Sequence, residues 1–480
     1  MSVIENLKPE LLWKEFDEIR KIPRCSKHEE KIREYILDFA KKHDLESKTD
    51  DAGNVVISKP ASQGMEDKPT VVVQGHMDMV CEKNSDVDFN FSTDPIQLKK
   101  DGDVLTAVGT TLGADDGIGV ATSLALLEDD SLKLGPIEAL FTVDEETGLT
   151  GAFALESDML TGKILLNLDS EDWGVLTVGC AGGGNSEISL PVKKEKPMEG
   201  FSQLLLKVSG LRGGHSGVDV HEQRGNAVKI LSRLLWKLSD SFDMVMYSIQ
   251  GGDKHNAIPR EASAVIGVKN TDEVKVFLKE EAMTIAEEIK PIDPKFRLDV
   301  SSTDSEEMVF TKESVQNILN LLHSLPHGVD KMSYDIDGLV QTSTNLAKVD
   351  VKNDSLQIML SSRSSNMSEL QNLRDRIHAM CKLAGASVEE EEPYPGWQPD
   401  LDSQILKLSK KLYKDKYGED PVVEAIHAGL ECGIIGEKFK GMDMISIGPT
   451  IKYPHSPEEQ VHISTVEKFY EYVVDIIKNV

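Results

Sequence analysis

The stretch Val71–Val80, VVVQGHMDMV, is a β-branched run that ends in His-x-Asp, and it carries two chemically able side chains to the end of a dry strand. Strand side chains alternate with period two, so His76 and Asp78 face the same side, and Asp78 can orient an imidazole whose other nitrogen faces a metal. Taken alone, such a pair serves equally well to close a loop. Four further segments place acids or a histidine where an apolar run ends or a Gly-rich turn begins. They are Asp115 and Asp116 in GADDGIG, Glu145 and Glu146 in ALFTVDEETGLTG, Asp169 in ILLNLDSED, and His455 in IGPTIKYPHSPEEQVHIS. Open α/β sheets bind ligands at the carboxyl ends of their strands, and five such ends bearing metal-type side chains point to a metal site.

Two histidines and three carboxylates suit a pair of zinc ions better than one. If Asp115 bridges, His76 with Asp169 completes one ion and Glu146 with His455 the other, and a shared water gives each metal the four ligands that zinc prefers. Two divalent cations against three carboxylates and a hydroxide leave little net charge to bury. Glu145 is then left over. Its neighbour Glu146 holds a metal, which frees Glu145 to take a proton from the water and return it to a leaving amine.

The order HMD, ADD, DEE, NLD and a late PHS resembles the co-catalytic zinc peptidases that include carboxypeptidase G, the aminoacylases and bacterial dipeptidases. Within that family the chain is most similar to the cytosolic aminoacyl-histidine dipeptidases, through QGHMDMVCEK, GTTLGADDGIG, DEETGLTGA, RGGHSG, HNAIPRE, YPGW and HAGLECG, which span essentially its whole length. The resemblance implies that His76, Asp115, Glu146, Asp169 and His455 are ligands, that Asp78 orients His76, and that Glu145 is the general base. It also implies two Zn2+ per chain, with Co2+ or Mn2+ as substitutes, and a cis peptide between Asp115 and Asp116. Many relatives carry Lys two residues after the bridging Asp, but this chain has Gly117, so no role passes to that position.

The chain has 480 residues and a formal net charge of −29, which suits two domains and a highly hydrated protein, and argues against a nucleic-acid partner. Five scattered cysteines, Cys25, Cys81, Cys180, Cys381 and Cys432, with no C-x-x-C pair, suit reduced thiols in the cytoplasm, Cys81 among them as a packed thiol. The N-terminal MSVIENLKPELLWKEF reads as an amphipathic helix without a signal core, and no apolar run is long enough to span a membrane.

The elements that must position the site alternate in type. Helical patterns at Leu11–Arg20, Lys27–His43 and Gly117–Glu128 interleave with strand patterns at Asn54–Lys59, Thr70–Gln74, Ile137–Thr142 and Lys163–Asp169. The rhythm returns at Ser403–Lys416, Val422–Ala425, Met444–Ile447 and Val466–Lys478. The expectation is an α/β fold: a doubly wound catalytic domain, residues 1–190 and 393–480, interrupted by an inserted α/β lid, residues 191–392. The lid reads strand, loop, helix twice, at Ser202–Gly210 with Arg224–Leu238 and at Leu356–Arg363 with Ser368–Leu383, so two similar halves are expected. Related enzymes pair single lids in a dimer, whereas a double lid can serve one chain, which leaves monomer and homodimer both open.

Three lid residues stand out. His215, in the Gly-rich GLRGGHSGVDV, resembles the residue that stabilises the oxyanion, and Asn256 in HNAIP offers donors for the same task. Arg363 ends an apolar strand, where a bidentate guanidinium would suit a substrate α-carboxylate. His427 and Glu431 in HAGLECG carry no assigned role.

These readings converge on a metal-dependent dipeptidase acting on unblocked dipeptides, including Xaa-His types such as carnosine. An amidohydrolase that deacylates N-acyl amino acids would use the same centre; a non-catalytic binding protein of this fold would be expected to have lost Glu145 or a ligand.

Overall fold

The computed structural model describes residues 3–304 and 307–480, and the chain divides into two compact units. The first comprises Met1–Gly179, Pro399–Ala425 and Leu430–Val480; the second comprises Cys180–Gln398 and Ile426–Gly429. Met1 and Ser2 of the N-terminal amphipathic pattern lie outside the described residues, and the helix itself runs Glu10–Ile19 with Leu12, Trp13, Phe16 and Ile19 on its buried side. No helix among the described residues is long and apolar enough to cross a membrane.

The first unit is built on an eight-stranded sheet whose order is Glu46–Thr49, Val55–Lys59, Ile137–Thr142, Val71–His76, Ile164–Asn167, Asp443–Ser446, Val175–Cys180, Val422–Ile426. Its four central strands are parallel: Val71–His76 pairs with Ile137–Thr142 and with Ile164–Asn167, which pairs in turn with Asp443–Ser446. Parallel strands need both faces covered, and Val71–His76 and Ile137–Thr142 are buried along their whole length. The shared direction brings His76, Thr142, Asn167 and Ser446 to one end of the sheet. A separate four-stranded sheet, ordered Ile451–Lys452, Gln460–His462, Val104–Ala107, Leu98–Asp101, carries a hairpin whose loop holds His455.

The second unit has a nine-stranded sheet. Arg297–Ser302, Ser202–Ser209, Ala262–Val268 and Met244–Gly251 form one side, and Val340–Lys352, Ser355–Ser364, Gly182–Pro191 and Ser387–Glu390 the other, with Gly328–Met332 added to Val340–Lys352. The sides join where Gly251 pairs with Val349. Each carries a helix capped by asparagine. Asn226 accepts from the N–H groups of Val228 and Lys229 ahead of Ala227–Ser241, and Asn366 accepts from Ser368 and Glu369 ahead of Met367–Ala384. One continuous core, including Leu206, Leu231, Leu235, Ile266, Leu319, Leu360 and Ile377, runs beneath both sides.

The cysteines correct one expectation: Cys25 and Cys81 form a disulfide across 56 residues rather than remaining thiols. A parallel bridge between Cys25 and Met79, with Met79 N–H donating to Arg24 O, lays the segment after the first helix along the chain beyond His76 and brings the two sulfurs together. No spacing motif signals a pairing made by tertiary contact. Cys180, Cys381 and Cys432 are buried.

Candidate metal centre and active site

Every segment singled out in the first unit delivers its side chain to one point. His76 is the last residue of its strand; Asp78 follows in the next turn, Glu145 and Glu146 open a short helical turn after Ile137–Thr142, and Asp169 lies two residues beyond Ile164–Asn167. Asp115 and Asp116 start the Ala114–Glu128 helix with extended and irregular backbone, φ/ψ −80/113 and −101/37, and the peptide between them is cis, as the resemblance implies.

Asp115 occupies the middle. Its Oδ1 lies 3.1 Å from His76 Nε2 and its Oδ2 lies 3.1 Å from His455 Nε2, so each carboxylate oxygen faces a different histidine. His76 Nε2 is also 3.4 Å from Asp169 Oδ1, and His455 Nε2 is 2.9 Å from Glu146 Oε2. The result is two groups of three donors, His76/Asp115/Asp169 and Asp115/Glu146/His455, the donor atoms of each lying within 4.8 Å of one another. Among the described residues, no lysine or arginine forms an ion pair with any of the five, and Glu146 Oε1 is buried without a hydrogen-bond partner. Two imidazoles and three carboxylates, short of positive charge and sharing one member, fit two divalent cations.

The supporting groups are as ordered as the donors. Asp78 Oδ1 lies 3.3 Å from His76 Nδ1, and the same carboxylate accepts from the N–H of Glu145 at 3.1 Å and of Glu146 at 3.3 Å and from Ser26 Oγ at 2.7 Å. Burial works to raise the Asp78 carboxyl, but contact with His76 and these donors outweighs it and holds the group at about 2. Asp78 thus fixes His76 and the Glu145–Glu146 turn together. Asp116 points the other way: it accepts from the N–H of His76 at 3.2 Å and of Gly119 at 3.1 Å, in a slot where a Cβ on Gly75 or Gly119 would come within 2.1 or 2.2 Å of its oxygens. Only glycine leaves room for that carboxylate.

Glu145 sits in the same acidic field without taking part in either donor group. Burial, with the charges of Asp169, Glu431 and Glu146, raises its carboxyl well above the ordinary range against the opposing pull of His76. Glu431, which sequence reasoning left without a role, lies below the strand ends, where its Oε2 accepts from Gln74 Nε2 at 2.6 Å and Thr142 Oγ1 at 2.7 Å.

In the second unit, His215 pairs with Ala257 in a small ladder, and Asn256 immediately precedes that second strand, its carbonyl accepting from the N–H of Ser216 at 2.8 Å. His215 Nδ1 accepts from the N–H groups of Gly217 at 3.2 Å and Val218 at 3.1 Å, which leaves Nε2 as the protonated, donating nitrogen. Arg363 is only 8% exposed, has no carboxylate partner among the described residues, and donates from Nη1 to Tyr394 OH at 3.1 Å. His427 Nε2 meets Ser343 Oγ at 2.7 Å, directly across the ladder from Arg363, and burial with the nearby guanidinium pushes its pKa down to about 3. Arg363 thus brings a buried positive charge beside two imidazoles whose pKa values are lowered. Tyr394 escaped the sequence reading; YPGW served there only as a mark of likeness.

Residues 72–479 match peptidase family M20/M25/M40, and the chain belongs to that family. Its similarity to a cytosol non-specific dipeptidase of Escherichia coli (strain K12) is 39% identity over 100% of this chain and 99% of that protein. The crystal structure of an aminoacylhistidine dipeptidase from Vibrio alginolyticus superposes with a TM-score of 0.94 at 40% identity, covering 100% of this chain and 98% of that one. An aminopeptidase PepT from Bacillus cereus shares the fold, with a TM-score of 0.56 at 18% identity over 98% of each chain. The protein is therefore a metallopeptidase, a hydrolase acting on peptide bonds.

Proposed function

We propose that the protein is a di-zinc dipeptidase that cleaves unblocked dipeptides, Xaa-His dipeptides such as carnosine among them. The observation that carries this reading is the split of Asp115, one oxygen toward each histidine, with Asp169 and Glu146 completing the two donor groups. The likeness to the dipeptidases of E. coli and V. alginolyticus supports the substrate class. His76, Asp115 and Asp169 would hold one zinc and Asp115, Glu146 and His455 the other; when bound, the pair supplies Lewis acidity toward the scissile carbonyl and acidifies the attacking water.

The chain's own residues do the rest. Glu145 accepts the proton of the attacking water and delivers it to the departing amine, a role open to a carboxyl that belongs to neither donor group and that desolvation and the neighbouring acids raise above its usual range. Asp78 keeps the His76 ring in place and anchors the Glu145 backbone. His215 donates through Nε2 to the developing oxyanion, aided by Asn256, and Arg363 takes the substrate α-carboxylate. The reading places the protein in the cytosol, supported by the name of the E. coli relative, as a monomer or homodimer.

A substrate panel on the zinc-loaded protein separates this from deacylation. Free dipeptides should be cleaved, and N-acetyl amino acids, N-blocked dipeptides and tetrapeptides much more slowly. Faster turnover of acyl amino acids than of any free dipeptide would assign the same centre to an amidohydrolase.

A further inference from the structure

Among the buried carboxylates outside the two donor groups, Glu459 has the most unusual partners. It is 1% exposed, and among the described residues its carboxylate accepts hydrogen bonds from main-chain N–H groups alone. Its Oε2 accepts from the N–H of Leu112 at 2.7 Å and of Gly113 at 2.9 Å; its Oε1 accepts from Ala114 at 2.7 Å and from Asp115 at 3.3 Å. Four successive amides converge on one carboxylate. Gly113, at φ 68, gives the turn that aims them inward.

Glu459 belongs to the loop between Ile451–Lys452 and Gln460–His462, four residues after His455. The clamp therefore joins the two segments whose side chains meet at Asp115 Oδ2 and His455 Nε2. His455 needs such support: it is half exposed, sits at φ 59, and has no strand to hold it. Asp115 needs it for another reason. An aspartate has two side-chain torsions, so the position of its oxygens follows its backbone closely, and a bridging carboxylate tolerates displacements of only about 0.5 Å.

We propose that Glu459 is a positioning residue for the metal centre: its carboxylate locks the backbone of Asp115 to the His455 hairpin, so that the shared donor and His455 move as one body and both zinc ions depend on the clamp. This rests on the reading of Asp115 as the shared ligand. Because all four donors are N–H groups, an amide cannot replace the carboxylate. In Glu459→Gln one side-chain NH2 would face two backbone N–H groups, although the volume is unchanged.

Zinc titration of the metal-stripped protein against a chelating dye tests the proposal, on the wild type, Glu459→Gln and Glu459→Ala, with circular dichroism to confirm folding. Both variants should bind both ions about 10- to 100-fold more weakly, the usual scale for a residue that orients ligands. Turnover should fall with little change in KM. Glu459→Gln that melts earlier but binds two ions with wild-type affinity would reduce Glu459 to a structural residue and overturn the proposal. Should Glu459→Ala fail to fold, the isosteric variant and one measurement on the wild type still decide: amides 112–115 must be protected from hydrogen exchange in the metal-stripped chain, and free exchange there refutes the clamp. A wild type that binds no zinc would instead remove the metal reading beneath it.

Discussion

Glu145 and Glu146 are neighbours with different partners. Glu146 Oε2 lies 2.9 Å from His455, inside a donor group, while Glu145 donates its backbone N–H to Asp78 and its carboxyl belongs to neither donor group, which is why it is the base in the proposed function. Conservative amides separate the two. Glu145→Gln should retain zinc while turnover falls by roughly 10²–10⁴, the scale of a positioned proton-transfer group. Glu146→Gln should lose zinc from the His455 side first. Metal analysis beside steady-state kinetics reads both, and a Glu145→Gln enzyme with full zinc and near-normal turnover would assign the base to another residue.

At the scale of elements, the parallel strands and the turns beyond them do the positioning, and the Asp116 slot shows how narrow the tolerance is. In an exposed helix, Gly119→Ala would add about 1 kcal/mol through helix propensity. Here the new Cβ would lie 2.2 Å from Asp116 Oδ1, and Asp116 is pinned by the N–H groups of His76 and Gly119. The sign should reverse. Urea denaturation should show a lower midpoint for Gly119→Ala, with weaker zinc binding as His76 shifts; a raised midpoint would mean that the slot yields. These elements were largely legible beforehand, since buried runs such as Val71–Val73 and the apolar period of Glu30–Lys42 announce strand and helix directly. Ala262–Val268, Thr271–Ile289 and Lys312–Ser324 were not read. Thr271–Ile289 buries only Val274, Leu278 and Ile285, too thin a stripe to stand out among its charges. Glu459 was also missed, because Pro-Glu-Glu in a turn looks solvated until folding buries it. The Cys25–Cys81 pair escaped because nothing local marks it.

At the scale of the molecule, the chain separates two tasks. The first unit gathers acids and histidines at the end of a parallel sheet; the second builds a cationic corner from Arg363, flanked by His427, His215 and Tyr394. Arg363→Ala should raise KM and lower kcat/KM for free dipeptides, with much smaller losses on dipeptide amides, which lack the carboxylate. Equal losses on both substrates would show that Arg363 does not read the carboxylate. The likeness that pointed to a peptidase was legible because motifs along the whole chain carry it, whereas the surroundings of Arg363 required the fold, since Gly183, Ser343, Arg363, Tyr394 and His427 meet only across strands. The account as a whole rests on Asp115 serving both donor groups. Its most direct test is the zinc content of the fully loaded wild type and of Asp115→Ala, each confirmed as folded. The account predicts two ions per chain in the wild type and none held tightly in the variant; a single ion in the wild type, or one ion retained at wild-type affinity by Asp115→Ala, would contradict it.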